Sequence, residues 1–266
     1  MSNHRGEGTN RPVAIVTGGL QGLGLGAVCE MLDEGFDVAI VDLAANVALP
    51  DGVTSRLGAG KQCRYYQMDI ADTERHETVL SAIEGDFGRL DCLVNNAGIA
   101  ARPLTDILKL DTTAFDKSVE VNLKGTFFLT QKFANKLLAM GEPADGAYRS
   151  IINITSIAAD FAITDRSQYC VTKSALSMVT KLFAKRLAPA GIHVHEIRPG
   201  FMQTEMTAKV GNDTIEALLA RGYVPIPRWG KPEDVGQAIA SLAAGRIPYM
   251  TGQPMWIAGG LNVANI

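Results

Sequence analysis

The sequence predicts an α/β fold in which a parallel sheet carries helices on both faces. Short apolar runs rich in Val and Ile alternate with stretches whose apolar residues recur at helical spacing. A glycine-rich turn joins the first strand to the first helix. Several strands end in small polar turns at one edge, where open α/β sheets bind their ligands. A chain of 266 residues can bury a large core, and no internal repeat or composition shift marks a second domain. Residues 1–11 read as a disordered polar tail without the apolar segment of a secretory signal, and 12–266 as one domain.

Residues 13–16 form the first strand: four apolar residues, three of them β-branched. Glycines follow at 18, 19, 22, 24 and 26, with Gln21 and Leu23 between them, and a helical pattern then runs to Gly35. Gly18 permits the tight turn, and Gly22 and Gly24 allow close backbone approach. The free N–H groups that open the helix suit a pyrophosphate. The spacing is Thr-Gly-x-x-x-Gly-x-Gly, and a glycine turn that binds nothing is the alternative until an acidic partner is found downstream. Asp42, at the end of a second strand over 36–42, supplies it. An acidic residue about 20 positions past the glycines can accept hydrogen bonds from the adenosine ribose and repel a 2′-phosphate. This reading favours NAD over NADP, and the neutral Gln21 offers no cation to a 2′-phosphate.

A third strand spans 62–68. Asp69 at its end either accepts the adenine amino group or caps the next helix, over 73–87. A fourth strand, 90–94, runs into Asn95-Asn96-Ala97-Gly98. Residues 112–140 read as one long helix, and Asn122, with apolar neighbours, points to a buried hydrogen-bonded role. After a loop over 141–149 comes a fifth strand, 151–155, with Ser156 at its end. A helix over 166–187 carries Tyr169 and Lys173, and a sixth strand, 192–198, ends in Pro199-Gly200. Residues 201–228 have a weak helical pattern and are the candidate lid. A proline-started helix, 232–243, and a last strand, 254–258, complete the chain.

Tyr169 and Lys173 stand four apart on a helix and so share a face. An ammonium beside a phenol favours the tyrosinate and brings it towards the range useful for acid–base work. Ser156, on the same edge, can donate a hydrogen bond to a substrate oxygen as charge develops. Alone, the Tyr–Lys pair is equally two solvated side chains, and it gains meaning only in this company.

Together these motifs resemble the short-chain dehydrogenase/reductase family over about residues 13–261. The likeness rests on Thr17-Gly18-x-x-x-Gly22-x-Gly24, Asn95-Asn96-Ala97-Gly98, Asn122, Ser156, Tyr169-x-x-x-Lys173 and Pro199-Gly200. It implies a seven-stranded Rossmann sheet and a homotetramer or homodimer. It implies that Tyr169 is the acid/base, that Ser156 holds the substrate oxygen, that Lys173 binds the nicotinamide ribose, and that Asn122 anchors a proton-relaying water. The implied dinucleotide contacts are Gly18, Gln21, Gly22, Leu23, Gly24, Asp42, Asp69, Ile70, Asn96, Ala97, Gly98, Tyr169, Lys173, Pro199, Gly200, Met202 and Thr204. Substrate is expected at Ser156, Ala158, Phe161 and Phe201.

Within the family, residues 198–206 and 228–234 are similar to 3-oxoacyl-(acyl-carrier-protein) reductases and to relatives acting on sugars, polyols and other small secondary alcohols. Two departures stand out: Asp42 opposes the NADP preference usual in fatty-acid synthesis, and Ala258 replaces the Asp that commonly precedes the last two glycines. The expected activity is NAD-dependent interconversion of a secondary alcohol and a ketone. The alternatives are an NADPH-dependent 3-oxoacyl reductase and a cofactor-binding regulator without chemistry. The regulator is disfavoured because Asn122, Ser156, Tyr169 and Lys173 are all kept.

A net charge of −3 and the absence of an 18-residue apolar run give no reason to expect nucleic acid or membrane as partner. The four scattered cysteines read as mostly buried free thiols of a reducing, cytoplasmic compartment. His193 and His195 share one face of a strand without a third ligand, so no metal is expected. Arg102, Arg149 and Arg166 read as scattered surface cations, with a basic surface for an acyl carrier protein as the alternative.

Overall fold

The computed structural model describes residues 11–45, 47–58, 60–205 and 212–263. Residues 1–10 of the expected tail and 206–211 of the expected lid lie outside the described residues. The strands are β1 (Val13–Thr17), β2 (Asp37–Asp42), β3 (Cys63–Gln67), β4 (Cys92–Asn95), β5 (Arg149–Ile154), β6 (Ile192–Pro199) and β7 (Pro254–Ile257). Helices α1 (Gly22–Asp33), α2 (Asp51–Thr54), α3 (His76–Phe87), α4 (Thr112–Ser118), α5 (Thr126–Met140), α6 (Ser167–Leu187), α7 (Asn212–Ala220) and α8 (Pro232–Ala243) connect them.

The sheet has seven strands in the order β3-β2-β1-β4-β5-β6-β7, and every neighbouring pair is parallel. Alternate residues of each strand feed opposite cores. Val13 and Ile15 of β1 join Ala39 and Val41 of β2 against α3 and α5, where Leu80, Ile83 and Phe133 are buried. Ala14 and Val16 join Val38 and Ile40 against α1 and α8, where Met31, Leu32 and Ile239 are buried. Each such side chain contributes about 1.5–3 kcal/mol on burial, which is why central strands read as continuous apolar runs. The chain order reverses between β1 and β4, and the crevice at their carboxyl ends is the natural ligand position.

The region read as one helix over 112–140 is three pieces. Asp111 caps α4 by accepting from Ala114 N (2.9 Å). A π-helical turn, Val119–Gly125, separates α4 from α5. Such turns admit one extra residue and gather at functional sites, and this one contains Asn122. The helix expected from residue 73 begins as a 3₁₀ turn at Thr73–Arg75 before α3. Within residues 201–228, α7 is the helical part.

Two side-chain readings need correction. Arg149 is buried, donating to Leu137 O at 3.1 Å and to Gly141 O, so it closes the 141–149 loop from inside and is no surface cation. The four cysteines are free as expected, but only Cys92 is buried and the others are half-buried.

His193 and His195 do share a face, stacked at 6.2 Å, and both stack on Tyr148. His195 Nε2 lies 3.0 Å from the Tyr148 hydroxyl. No cluster of three metal-ligating side chains occurs among the described residues. Burial, assisted by the nearby His193, pulls the His195 pKa from 6.5 down to about 4. The folded state therefore binds fewer protons than the unfolded chain between those values. Stability should fall as the pH drops from 6.5 towards 4. Chemical unfolding of His195→Gln across this range should show a shallower decline than the native chain.

Candidate active site

The glycine turn is locked by Thr17 as much as by its glycines. Thr17 Oγ1 donates to Val94 O (3.2 Å) and accepts from Asn96 N and Ala97 N (both 3.0 Å). Asn96 Nδ2 returns bonds to Thr17 O and Gly18 O at 3.0 and 3.1 Å. The ends of β1 and β4 thus form one rigid rim. Gly18 holds φ +65°, which favours glycine, and a Cβ on Gly24 would stand 2.0 Å from Gly18 O. Gln21 is the exposed N-cap of α1, and its side chain makes no capping bond. Leu23 packs partly against the α1/α8 core.

Asp42 lies at the carboxyl end of β2. Its Oδ2 accepts from Leu20 N (3.2 Å) and its Oδ1 from Leu43 N (2.7 Å), which brings the carboxylate against the glycine turn. Asp69 Oδ1 accepts from Ala71 N (2.9 Å), a turn-capping bond. The Ile70 side chain is committed to the core and its carbonyl to His76 Nε2 (2.8 Å).

Asn122, on the π turn, is held on both sides by one residue. Its Oδ1 accepts from Ile99 N (2.7 Å) and its Nδ2 donates to Ile99 O (2.9 Å). A methyl group on Gly98 would stand 3.0 Å from Asn122 Oδ1 and 3.9 Å from Lys173 Nζ, so the turn after β4 runs between them. Lys173 Nζ donates to Ile154 O (2.8 Å) and lies 5.6 Å from the centre of the Tyr169 ring. The α6 spacing has placed Tyr169 and Lys173 together.

Ser156 Oγ accepts from Ala158 N (3.1 Å), and Ser156 stands near enough to the Tyr169 phenol to act on its proton. Burial holds the phenol above its ordinary pKa of 10, while the Ser156 hydrogen bond and the Arg166 charge pull the other way. The sequence suggested a lowered value; desolvation outweighs the neighbouring charges. Burial also pulls the Lys173 ammonium down to about 8, against the opposing charge of Glu196.

The loop after β6 completes the edge. Gly200 N donates to Ile257 O (3.0 Å), and the Gly200 Cα packs so close to Ala258 that a Cβ would stand 2.8 Å from its Cα. Met202 bridges in parallel to Gly230, and Thr204 lies over the glycine turn at Gly22, 3.7 Å from a Cβ placed there. Phe201 borders a cavity of about 360 Å³ that also touches Trp256, Val224 and Arg228. Ser156 and Tyr169 do not line that cavity, whose walls come from residues 201–202, 224–237 and 256–260. Ala158 is buried in the turn after Ser156, whereas Phe161 is half-exposed and leans on Trp256 at 6.1 Å.

A family model described as enoyl-(acyl carrier protein) reductase matches residues 18–262. The chain belongs to the short-chain dehydrogenase/reductase family. It is 32% identical over 249 residues to the 3-oxoacyl-(acyl-carrier-protein) reductase of Thermotoga maritima, covering 94% of this chain and 97% of the relative. It is also 32% identical to nodulation protein G of Azospirillum brasilense, with 95% and 99% covered. A crystal structure of a 3-oxoacyl-(acyl-carrier protein) reductase from Brucella melitensis in complex with NAD superposes with a TM-score of 0.91 at 39% identity, covering 97% of this chain and 100% of that one. The protein is therefore an oxidoreductase acting on CH–OH groups with a nicotinamide dinucleotide. No helix among the described residues is long and apolar enough to cross a membrane.

Sequence reasoning missed some of this short-chain dehydrogenase's polar framework. Asn95 Nδ2 donates to Thr130 Oγ1 and to Asn153 Oδ1 (both 2.8 Å), and Asn153 Nδ2 donates to Thr180 Oγ1 (2.9 Å). Asn153, Glu196 and Arg198 are buried polar side chains flanked by Ile152, Ile154 and Ile197 in β5 and β6. Their presence there was the available signal, because a buried polar side chain needs partners.

Proposed function

We propose that this protein is an NAD-preferring dehydrogenase of a small secondary alcohol, in which Tyr169 exchanges the proton with the substrate oxygen. The carrying observation is the position of Lys173 Nζ, 5.6 Å from the centre of the Tyr169 ring on one face of α6, with Ser156 at the end of β5 beside that phenol. A bound nicotinamide supplies or takes the hydride. Tyr169 gives its proton to the carbonyl oxygen, or takes it from the alcohol. Ser156, oriented by Ala158 N, donates a hydrogen bond to that oxygen. Lys173 holds the nicotinamide ribose and favours the phenolate, and Asn122 anchors a water on the proton path to it.

The rim fits a dinucleotide. The open N–H groups of α1 above the glycine turn suit a pyrophosphate, and Thr204 overhangs it. Gln21, Leu23, Asp69, Ile70 and the turn from Asn96 to Gly98 flank the adenosine and nicotinamide sides. Pro199, Gly200 and Met202 close the nicotinamide end through backbone. Ala158, Phe161 and Phe201 give the substrate a partly apolar wall. Exposed Phe115, Phe128, Met178 and Leu182 on α4–α6 support self-association as a homotetramer or homodimer, and the free thiols support a cytoplasmic setting.

The Asp42 carboxylate against the glycine turn supports NAD. Titration with NADH and NADPH, followed by nucleotide fluorescence, should show tighter NADH binding. Asp42→Ala should narrow the gap about tenfold or more, because opposed like charges cost several kcal/mol. An unchanged ratio removes Asp42 from the argument. The second reading, an NADPH-dependent 3-oxoacyl thioester reductase, is favoured by the names of the relatives. Tighter NADPH binding, with turnover of acetoacetyl thioesters, would establish it.

A further inference from the structure

A buried ion pair stands behind the proposed catalytic groups. Glu196 is fully buried and Arg198 nearly so, two residues apart on β6 and facing the same side. Glu196 Oε1 accepts from Thr155 Oγ1 (2.8 Å) and from Arg198 Nε, and Oε2 accepts from Ser177 Oγ (2.7 Å). Arg198 Nη2 donates to Ser177 Oγ (2.7 Å), Nη1 pairs with Asp160, and the guanidinium lies 5.0 Å from the centre of the Trp256 ring.

Every partner of this pair is next to a group of the site. Thr155 lies between Ile154, whose carbonyl receives the Lys173 ammonium, and Ser156. Ser177 is one helical turn beyond Lys173 on the same face of α6. Asp160 ends the turn that Ser156 begins. We propose that Glu196 is a positioning residue: clamped by Thr155, Ser177 and Arg198, its carboxylate ties the Ser156 turn to α6 and supplies the counter-charge for the Lys173 ammonium.

The charged and titratable groups around Lys173 are few. Tyr169 lies on its own helix, Glu196 and Arg198 on β6, and Asp160 behind Arg198; Asn122, on the π turn, is neutral. The Lys173 side chain is nine-tenths buried and more, so water does little to sustain its charge. Of these groups, Glu196 is the one whose charge opposes its deprotonation. The inference rests on the catalytic reading of Lys173, but its electrostatic content stands independently.

The test is a titration of Lys173 by trace acetylation with acetic anhydride between pH 6 and 10.5, quantified by mass spectrometry on the full-length protein. Glu196→Gln should move the Lys173 inflection down, by about one pH unit, because the buried ammonium loses a carboxylate that opposes its deprotonation. Glu196→Asp should return it most of the way. If Glu196→Gln fails to fold, the double variant Glu196→Gln with Arg198→Met is read against Arg198→Met alone, so that the lost arginine charge is common to both and the same downward shift is expected. An inflection that stays at its native position in the folded variant overturns the proposal, even when turnover falls, because that pattern marks a purely structural role. Full ketone reduction by Lys173→Ala would instead remove Lys173 from the catalytic reading, and the titration result would be unaffected by it.

Discussion

Tyr169→Phe is expected to lower turnover by about 10²–10⁴, the range that general acid–base catalysis contributes. The substitution deletes one oxygen and leaves the ring, so the neighbouring Lys173 ammonium keeps its place over the face. Lys173 also keeps its bond to Ile154 O. Dinucleotide affinity should therefore stay close to native while the chemical step fails. Ser156 keeps its bond from Ala158 N, so the turn it begins should hold. Steady-state kinetics with a nucleotide fluorescence titration separate the two effects. Near-native turnover in the purified variant would exclude Tyr169 as the proton donor.

Gly24→Ala is expected to weaken dinucleotide binding by about 10²-fold or more, the penalty for displacing a binding group by roughly 1 Å. A Cβ at this position would lie 2.0 Å from Gly18 O and 2.5 Å from Asn96 Nδ2. The first neighbour is backbone and cannot rotate away, so either the glycine turn opens or α1 retreats. Both movements disturb the rim that Thr17 ties to β4. Overpacking of this kind also costs about 1–3 kcal/mol of stability. Denaturant unfolding and NADH titration of the same sample should show both losses. Native affinity in a folded Gly24→Ala protein would mean that the turn does not approach the nucleotide closely.

The strands and their order along the chain were legible because central parallel strands are buried on both faces and read as continuous Val and Ile runs. The glycine turn, Asp42 and the Tyr169–Lys173 spacing were legible because local geometry fixes them: a turn, a strand end and a helical repeat. The π turn was not, because Phe115, Val119, Leu123 and Phe127 still recur every four residues straight through it in the sequence. Arg149 was misread because its acceptors are main-chain carbonyls, which no pattern of side chains announces. The Glu196–Arg198 pair was equally hidden. Its partners Thr155, Ser177 and Asp160 come from two other parts of the chain. The Tyr169 pKa went astray for a related reason, since adjacency to Lys173 is written in the spacing but the depth of burial is not.

The π turn at Val119–Gly125 has a geometric result for the two helices that it joins. An α-helix advances about 100° per residue, so a single extra residue offsets the angular phase of α5 from that of α4 by roughly that amount. The stripe by which α5 grips the sheet, Leu129, Phe133 and Leu137, is therefore not a continuation of any stripe on α4. The two helices are coaxial in sequence yet independently indexed. Asn122 sits at the seam, where its direction answers to the Ile99 backbone and to Thr172 Oγ1 on α6, at 3.4 Å, rather than to the stripe of either helix. The Asn122 side chain is thereby freed from the periodicity that the core imposes on its neighbours.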